Sequence, residues 1–306
     1  MSWKVTRNKK LLHRVSHALQ AGIALLGFGV FRVLPVDLAS WVGGTLLQWI
    51  GPRLKISHIA RHNLRAAFPD KTDDILETIV RQMWDHLGRV LGEFPHSATL
   101  MADPDRVQVT RPDIIAALRD DGRPGIFFSA HIGNWELASV FTLRHGLPFA
   151  VFYRAPNNPL VERLYRQIRE TGGVRLLAKG SKGAREALAI LKQGGHLGML
   201  VDQKMNDGIP VPFFGRDAMT APALAQFAHR YDCPVVPIRI IRIKGARFKL
   251  VIDPPLVLPA TADKQADVAE TMRRVNACLE EWIRETPEQW LWVHRRWPEH
   301  GPRPSK

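Results

Sequence analysis

Short β-rich runs alternate with helical stretches from residue 124 onward, and this alternation constrains the fold more than any other feature of the chain. The β-rich runs are residues 125–130, 148–154, 174–178, 195–201, 234–243 and 247–253. Helical patterns fall between them, at residues 134–145, 158–171, 181–193 and 220–231. Such alternation is typical of an α/β fold in which helices cover both faces of a mostly parallel central sheet. We expect that fold, with the last two strands antiparallel and a final helix over residues 264–284.

The N-terminal part of the chain is basic and apolar and lacks this alternation. Five Lys or Arg residues lie within residues 1–14, and residues 15–31 are then free of charged side chains. A run of that length is at the lower limit for spanning a bilayer. A second apolar stretch, residues 38–51, contains Trp41 and Trp49, which suit a membrane–water interface. Cations follow this stretch as well, so we expect a shallow dip or a hairpin with both flanks in the cytoplasm.

Two parts of the chain follow from these patterns. Residues 1–56 are expected to form a basic N-terminus with membrane-associated helices. Residues 57–306 are expected to form a single α/β catalytic domain with a C-terminal aromatic and basic tail. Apolar residues spaced three or four apart predict that this second part begins with helix over residues 57–94.

The net charge of the chain limits the classes of partner that we expect it to bind. Lys and Arg number 43 against 29 Asp and Glu, which gives a formal net charge of +14. Such a charge favours an acidic partner: nucleic acid, anionic lipid or an acidic carrier protein. The cations are spread along the chain with no recognisable nucleic-acid module, so we expect no nucleic-acid partner. The two cysteines, Cys233 and Cys278, have no metal-type spacing, and we expect neither a metal nor a cofactor.

One stretch carries a candidate catalytic pair. In "SAHIGNWELA", residues 129–138, His131 ends an apolar strand, Gly133 permits a tight turn, and Asn134 is a good helix N-cap. Ligands of open α/β sheets bind beyond the carboxyl ends of the strands, where this histidine is predicted to lie. Glu136, in the first turn of the following helix, would orient His131 so that its other ring nitrogen acts as a base. A helix-capping polar pair remains the alternative.

No enzyme nucleophile accompanies this pair. The sequence has no GxSxG segment, and no cysteine lies near His131. Direct attack by a substrate hydroxyl group, deprotonated by His131, fits this inventory of side chains. His294 also has a glutamate five residues later, but two arginines directly follow it and no strand-to-helix turn is predicted there.

Several motifs together resemble one family of enzymes. "HIGNWE" resembles the HxxxxD/E motif of glycerolipid-type acyltransferases. The residues within the motif resemble those of one group, the bacterial lipid A biosynthesis acyltransferases, which are the late lauroyl and myristoyl transferases. The similarity covers nearly the whole chain in the family's order. It continues through "FYRAPNNP" (152–159), "VDQ" (201–203), "VPFFG" (211–215), "TAPALA" (220–225) and "PEQWLWVHRRW" (287–297).

The resemblance implies a reaction and a place in the cell. A fatty acyl chain passes from acyl carrier protein to a hydroxyl group of a Kdo-bearing lipid A precursor, at the cytoplasmic face of the inner membrane. The implied partners are therefore acyl carrier protein, a glycolipid acceptor and an anionic membrane surface. The same chemistry on another glycolipid or a lysophospholipid, with acyl-CoA as donor, is the alternative, and a non-catalytic membrane scaffold is a further one.

The resemblance also implies roles for single residues. His131 is the base, Glu136 is its orienting partner, and Arg169 and Asp202 match the family's other polar positions. Arg154 and Arg169 are expected to bind phosphate or carboxylate groups of the substrate, since guanidinium groups suit such anions.

Two aromatic segments allow two interpretations each. The four tryptophans of the C-terminal tail suit a lipid headgroup interface or a cap that packs on the sheet: Trp282, Trp290, Trp292 and Trp297. Phe213 and Phe214 of "VPFFG" suit a contact with acyl chain or sugar, or a buried turn.

Overall fold

A seven-stranded sheet lies at the centre of the computed structural model, which describes residues 20–22, 24–153, 158–171 and 174–297, with only the backbone of 164 and 167–171. Its strands are β1 (Val107–Val109), β2 (Gly125–Ser129), β3 (Phe149–Tyr153), β4 (Arg175–Ala178), β5 (His196–Leu200), β8 (Val235–Lys244) and β9 (Arg247–Ile252). Their order is β1-β9-β8-β2-β5-β3-β4, and neighbours are parallel except β8 and β9. A separate antiparallel hairpin consists of β6 (Ile209–Phe213) and β7 (Arg216–Thr220).

Helices cover both faces of this sheet. They are α1 (20–22 and 24–33), α2 (Val36–Ile50), α3 (Ser57–Ala67), α4 (Asp73–Glu93), α5 (Ser97–Ala102), α6 (Pro112–Asp120), α7 (Glu136–Arg144), α8 (Pro159–Thr171), α9 (Ser181–Lys192), α10 (Ala223–Tyr231) and α11 (Lys264–Glu285). Every residue of β2 is buried, because its side chains point alternately to the two faces of the sheet and both faces are covered. Ile126 and Phe128 join one apolar cluster, whereas Phe127 joins the other.

The predicted mostly parallel sheet is therefore confirmed, as are the antiparallel last pair and the long final helix. The helical stretch predicted over 57–94 consists of two helices, α3 and α4. The break begins at Phe68, whose φ of −131° leaves the helix. The next residue is Pro69, and proline disfavours helical backbone in the residue before it. The short β1, helix α6 and the β6–β7 hairpin were not predicted.

The C-terminal tryptophans belong to the core. Trp282, Trp290, Trp292 and Trp297 are at most 2% exposed, so their interpretation as a lipid-interface belt is wrong. The segment after α11 folds back against the site: the Leu291 amide donates to the His131 carbonyl oxygen at 3.0 Å. Phe213 and Phe214 are likewise buried, and their rings pack against this segment.

The N-terminal helices present a different surface. α2 packs closely on α4, since a Cβ added at Gly92 would lie 2.2 Å from the Ala39 carbonyl oxygen. The outer side of α1 and α2 exposes large apolar residues, namely Leu25, Leu26, Val30, Val33, Leu38, Trp41, Leu46 and Trp49. In the described ranges, however, no helix has both the length and the apolar character that a bilayer crossing requires.

Candidate active site

His131 lies two residues beyond the carboxyl end of β2, as the sequence predicts. β5 is the parallel neighbour of β2, with Ser129 opposite Leu200, so Asp202 follows the adjacent strand at the same edge. The His131 side chain is 18% exposed, which leaves the ring accessible from one side. The fold thus brings together two polar residues that are 71 positions apart in the chain.

Asp202 makes the orienting contact with the imidazole. Its Oδ1 lies 2.8 Å from His131 Nδ1, and its Oδ2 accepts the His131 backbone N–H at 2.9 Å. Trp290 Nε1 donates to the same Oδ2 at 2.8 Å. Asp202 is fully buried, and three donors around one buried carboxylate compensate for its lost hydration.

Charge fixes the protonation of this pair. Burial by itself raises the pKa of Asp202, but the charge of His131 and the hydrogen bonds from it outweigh burial and hold that pKa below its usual range. The carboxylate is therefore ionised and can only accept, so Nδ1 of His131 carries the proton. Nε2 is then the basic nitrogen. Gln203 Nε2 lies 3.4 Å from it, and Gln203 is exposed.

Glu136, the predicted orienting partner of His131, has two hydrogen-bond donors of its own. It lies in the first turn of α7, as predicted, and its Oε1 accepts hydrogen bonds from Trp135 Nε1 at 3.0 Å and from the Tyr165 hydroxyl group at 2.9 Å. The Trp135 ring lies edge-on to the His131 ring, with centroids 5.3 Å apart. At Nδ1 of His131 the carboxylate contact comes from Asp202, and the orienting role predicted for Glu136 stays a prediction.

Two residues shape the turn between His131 and Glu136. Gly133 has a φ of +57°, and a Cβ there would lie 1.6 Å from the Ile240 carbonyl oxygen, so only glycine fits. Asn134 was predicted to cap α7, but the N-cap is Trp135 and no side-chain cap bond forms. The Asn134 amide instead donates to buried Glu93 at 2.8 Å, because a carboxylate behind the turn needs donors.

His294 supports the pair from behind. Its ring packs against Trp290 with centroids 5.0 Å apart, and its Nε2 lies 3.2 Å from the Asp202 carbonyl oxygen. Burial lowers the pKa of His294, although Asp202 opposes that change.

A pocket opens beside the pair, between the sheet and α7. It has about 520 Å³ of empty space, including its open mouth. Trp135 and Glu136 line it together with Phe127, Phe149 and other apolar residues of the sheet. Gly198 belongs to its wall, and a Cβ there would lie 2.5 Å from the Phe149 ring. The pocket therefore suits a ligand whose apolar part lies against the sheet and whose polar end lies near Glu136.

The other two predicted site residues are arginines. Arg154 lies outside the described residues. Arg169 lies in α8, the helix that also carries Tyr165, and its side chain is outside the described part. No group of three potential metal ligands occurs within the described ranges.

Sequence reasoning missed Trp290, Tyr165 and Glu93 as site residues. Each reaches the site from a distant part of the chain, so no local spacing signals its role. Asp202 was predicted as a site residue because it follows a strand. Its contact with His131 was not predicted, since the two residues are far apart in the chain.

Comparisons with known proteins agree with the motifs. The family model "Bacterial lipid A biosynthesis acyltransferase" matches residues 5–299. A lipid A biosynthesis acyltransferase of Haemophilus influenzae is 23% identical over 277 residues, 87% of this chain and 85% of the relative. The lipid A biosynthesis myristoyltransferase of Escherichia coli is 25% identical over 76% of this chain and 72% of the relative. The E. coli lauroyltransferase is 26% identical over 94% and 93%.

Proposed function

Because this chain belongs to the bacterial lipid A biosynthesis acyltransferase family, we propose that it transfers a fatty acyl chain from acyl carrier protein to a hydroxyl group of a Kdo-bearing lipid A precursor. Family membership makes it an O-acyltransferase that acts in lipid A biosynthesis. The donor, the acceptor and the mechanism are our proposals. The contact of 2.8 Å between His131 Nδ1 and Asp202 carries the mechanism.

In this mechanism His131 is the general base. Asp202 keeps the proton on Nδ1, so Nε2 accepts the proton of the acceptor hydroxyl group. The oxygen attacks the thioester carbonyl carbon, a C–O bond forms and the C–S bond breaks. The imidazolium then returns its proton to the departing thiolate. Base catalysis of this kind contributes on the order of 10²–10⁴ in rate.

Glu136 acts from the rim of the pocket. Its carboxylate, held by Trp135 and Tyr165, favours the positive charge that develops on the His131 ring. The carried-over role of Glu136 is therefore electrostatic in our proposal, whereas Asp202 orients the ring. The mostly apolar lining of the pocket beside Glu136 supports binding of the fatty acyl chain there.

The charge near the site supports an acidic donor protein. Residues 175–192 contain five Lys or Arg against one acid, Glu186. Lys179, Lys182 and Arg185 are exposed, at or just beyond the carboxyl end of β4. In a parallel sheet this end lies at the edge that carries His131, so an acidic carrier would dock close to the base.

This donor assignment has a direct test. The double variant Lys179→Glu/Lys182→Glu should raise KM for acyl carrier protein by about tenfold or more and leave kcat unchanged, since charges at the rim of an interface act mainly on association. Activity with acyl-CoA should change little in the same variant. An equal loss with both donors, or no loss with the carrier, would contradict docking at this edge.

Membrane attachment at the cytoplasmic face of the inner membrane is part of the proposal. The exposed apolar side of α1 and α2, with Arg53 beside Trp49, supports contact with anionic lipid. The variant Trp41→Ala/Trp49→Ala should bind vesicles that contain phosphatidylglycerol at least about tenfold more weakly, because two interfacial anchors are lost. Unchanged vesicle binding at equal thermal stability would argue against this face.

The central experiment measures acyl transfer by the purified chain. With acyl carrier protein donors of several chain lengths, the wild type should acylate a Kdo-bearing lipid A precursor. His131→Ala should lower kcat by on the order of 10²–10⁴, whereas His58→Ala, at an exposed position, should not. A lysophospholipid acceptor tests the alternative substrate. Retention of wild-type kcat by His131→Ala would overturn the mechanism.

A further inference from the structure

A buried carboxylate that this mechanism does not use lies behind the turn that carries His131. Glu93 is the last residue of α4, and it is fully buried. Both of its oxygens accept from Arg242 of β8, with Nη2 2.8 Å from Oε2. A buried ion is costly unless it is paired and hydrogen-bonded, so the surroundings of Glu93 are informative.

Two further donors reach Glu93 from different elements of the fold. Asn134 Nδ2 donates to its Oε2 at 2.8 Å, and Ser40 Oγ donates to its Oε1 at 2.6 Å. Asn134 belongs to the turn between His131 and Glu136, whereas Ser40 belongs to α2. One carboxylate thus connects the catalytic turn to an N-terminal helix.

Arg242, the ion-pair partner of Glu93, also contacts Gln289, which binds the same turn at Gly133. The Arg242 backbone N–H donates to Gln289 Oε1 at 2.8 Å, and Gln289 Nε2 donates to the Arg242 carbonyl oxygen at 3.0 Å. The Gln289 carbonyl oxygen then accepts the Gly133 amide at 3.0 Å. Two contacts therefore hold the turn. Asn134 contacts Glu93 directly, and Gly133 contacts Gln289, which in turn contacts Arg242.

The link to α2 is close and direct. Cβ atoms added at Gly43 or Gly88 would lie 2.3 or 2.1 Å from a backbone oxygen of the facing helix, so α2 and α4 approach without side chains between them. At this separation the Ser40 hydroxyl lies within hydrogen-bond distance of Glu93. The outer side of α2 exposes Trp41 and Trp49, which the proposed function assigns to the bilayer.

We propose that Glu93 is a positioning residue: through Asn134 it holds the turn that carries His131 and Glu136, and through Ser40 it couples that turn to α2. The inference rests on the proposed function for its kinetic consequence. Misplacement of a catalytic group by about 1 Å costs on the order of 10²-fold in rate. The contacts of Glu93 with the turn therefore govern kcat rather than substrate binding.

The first test removes only the contact to the turn. Asn134→Ala keeps the Glu93–Arg242 pair intact, and it should lower kcat by about 10- to 100-fold with KM for both substrates nearly unchanged. Asn276→Ala is the matched control, because Asn276 is equally buried but donates to the Pro212 carbonyl oxygen. An unchanged kcat in Asn134→Ala, or an equal fall in the control, would overturn the proposal.

The second test asks whether the contacts act as one unit. Glu93→Gln preserves shape but removes the charge, and adding it to Asn134→Ala should lower kcat little beyond the more damaged single variant. Ser40→Ala should lower kcat as well, by a smaller factor. Additive effects of the first two changes would contradict positioning through Asn134, and wild-type kcat in Ser40→Ala would contradict the coupling to α2.

Hydrogen exchange gives a readout that does not depend on the reaction. Amides of residues 129–138 should exchange faster in Glu93→Gln and Asn134→Ala than in the wild type, whereas Asn276→Ala should leave them unchanged. Faster exchange without catalysis by the wild type would count against the proposed function alone. Wild-type catalysis with unchanged exchange in both variants would count against Glu93 alone.

Discussion

At the scale of single residues, the site depends on one buried carboxylate that selects the tautomer of His131. Asp202→Asn keeps the size of that side chain but removes the charge that holds the proton on Nδ1. We expect kcat to fall by on the order of 10²–10⁴, because much of the imidazole then carries its proton on the wrong nitrogen. Steady-state acyl transfer measures this, with exposed Asp217→Asn as the control. Equal activity of the two variants would exclude Asp202 as the orienting group.

The hydrogen bond from Trp290 to Asp202 can be assessed against a similar bond nearby. Trp290 and Trp292 are both fully buried; the first donates to a carboxylate and the second to the Pro287 carbonyl oxygen. Hydrogen bonds to ions contribute about 1.5–3 kcal/mol and neutral ones about 0.5–1.5 kcal/mol. Trp290→Phe should therefore lower the free energy of unfolding in urea more than Trp292→Phe does. The reverse order would indicate that Asp202 does not depend on this donor.

At the scale of elements, the turn between β2 and α7 requires glycine twice over. Gly133 combines positive φ with contact against the backbone of β8, whereas Gly215, with φ of +69°, has open space around its Cβ position. Gly215→Ala should cost about 1–2 kcal/mol of stability from backbone strain alone. Gly133→Ala should cost clearly more and should also lower kcat by about 10²-fold, because the turn must move away from Ile240. Thermal unfolding and acyl transfer together check this, and similar losses in both variants would contradict it.

The prediction of elements from sequence was good where periodicity was strong. The six predicted strands appear with boundaries shifted by at most one residue, because long apolar runs between turn residues leave few alternatives. The β6–β7 hairpin was missed because "IPVPF" contains two prolines. Proline cannot donate a backbone hydrogen bond, so a sequence with two of them is rarely predicted as a strand. The N-cap at Asn134 was wrong because a tertiary partner, Glu93, competes for its side chain.

At the scale of the whole molecule, buried histidines make stability depend on pH. Burial and the charge of Arg242 lower the pKa of His86 to about 3 from an ordinary value of 6.5. Burial also lowers the pKa of His196 and of His294. Below pH 6.5 the unfolded chain takes up protons that the folded chain does not, so stability rises with pH between about 3 and 6.5 and is fully present above that. The lower limit of this window belongs to His86, and His196 and His294 contribute in the same direction below pH 6.5.

This dependence can be assigned to His86 by substitution. His86→Gln keeps an acceptor for Arg242 Nε, which lies 3.3 Å from His86 Nδ1, but it does not titrate. The difference in urea midpoint between pH 6.5 and pH 5 should be smaller in this variant than in the wild type. His58→Gln, at an exposed position, should leave the difference unchanged. A wild-type stability that does not change between these pH values would refute the prediction.

The sequence by itself determined the α/β fold, the position of His131 at the end of a strand and the family, because apolar periodicity and motif order are local properties of the chain. Only the tertiary structure decided which carboxylate orients the imidazole, that the C-terminal tryptophans are core, and that Glu93 lies behind the turn. These three outcomes depend on contacts between residues that are tens to hundreds of positions apart. Burial then selects the partner, since a carboxylate without water must collect every donor within reach, and no spacing along the chain encodes which donors those are.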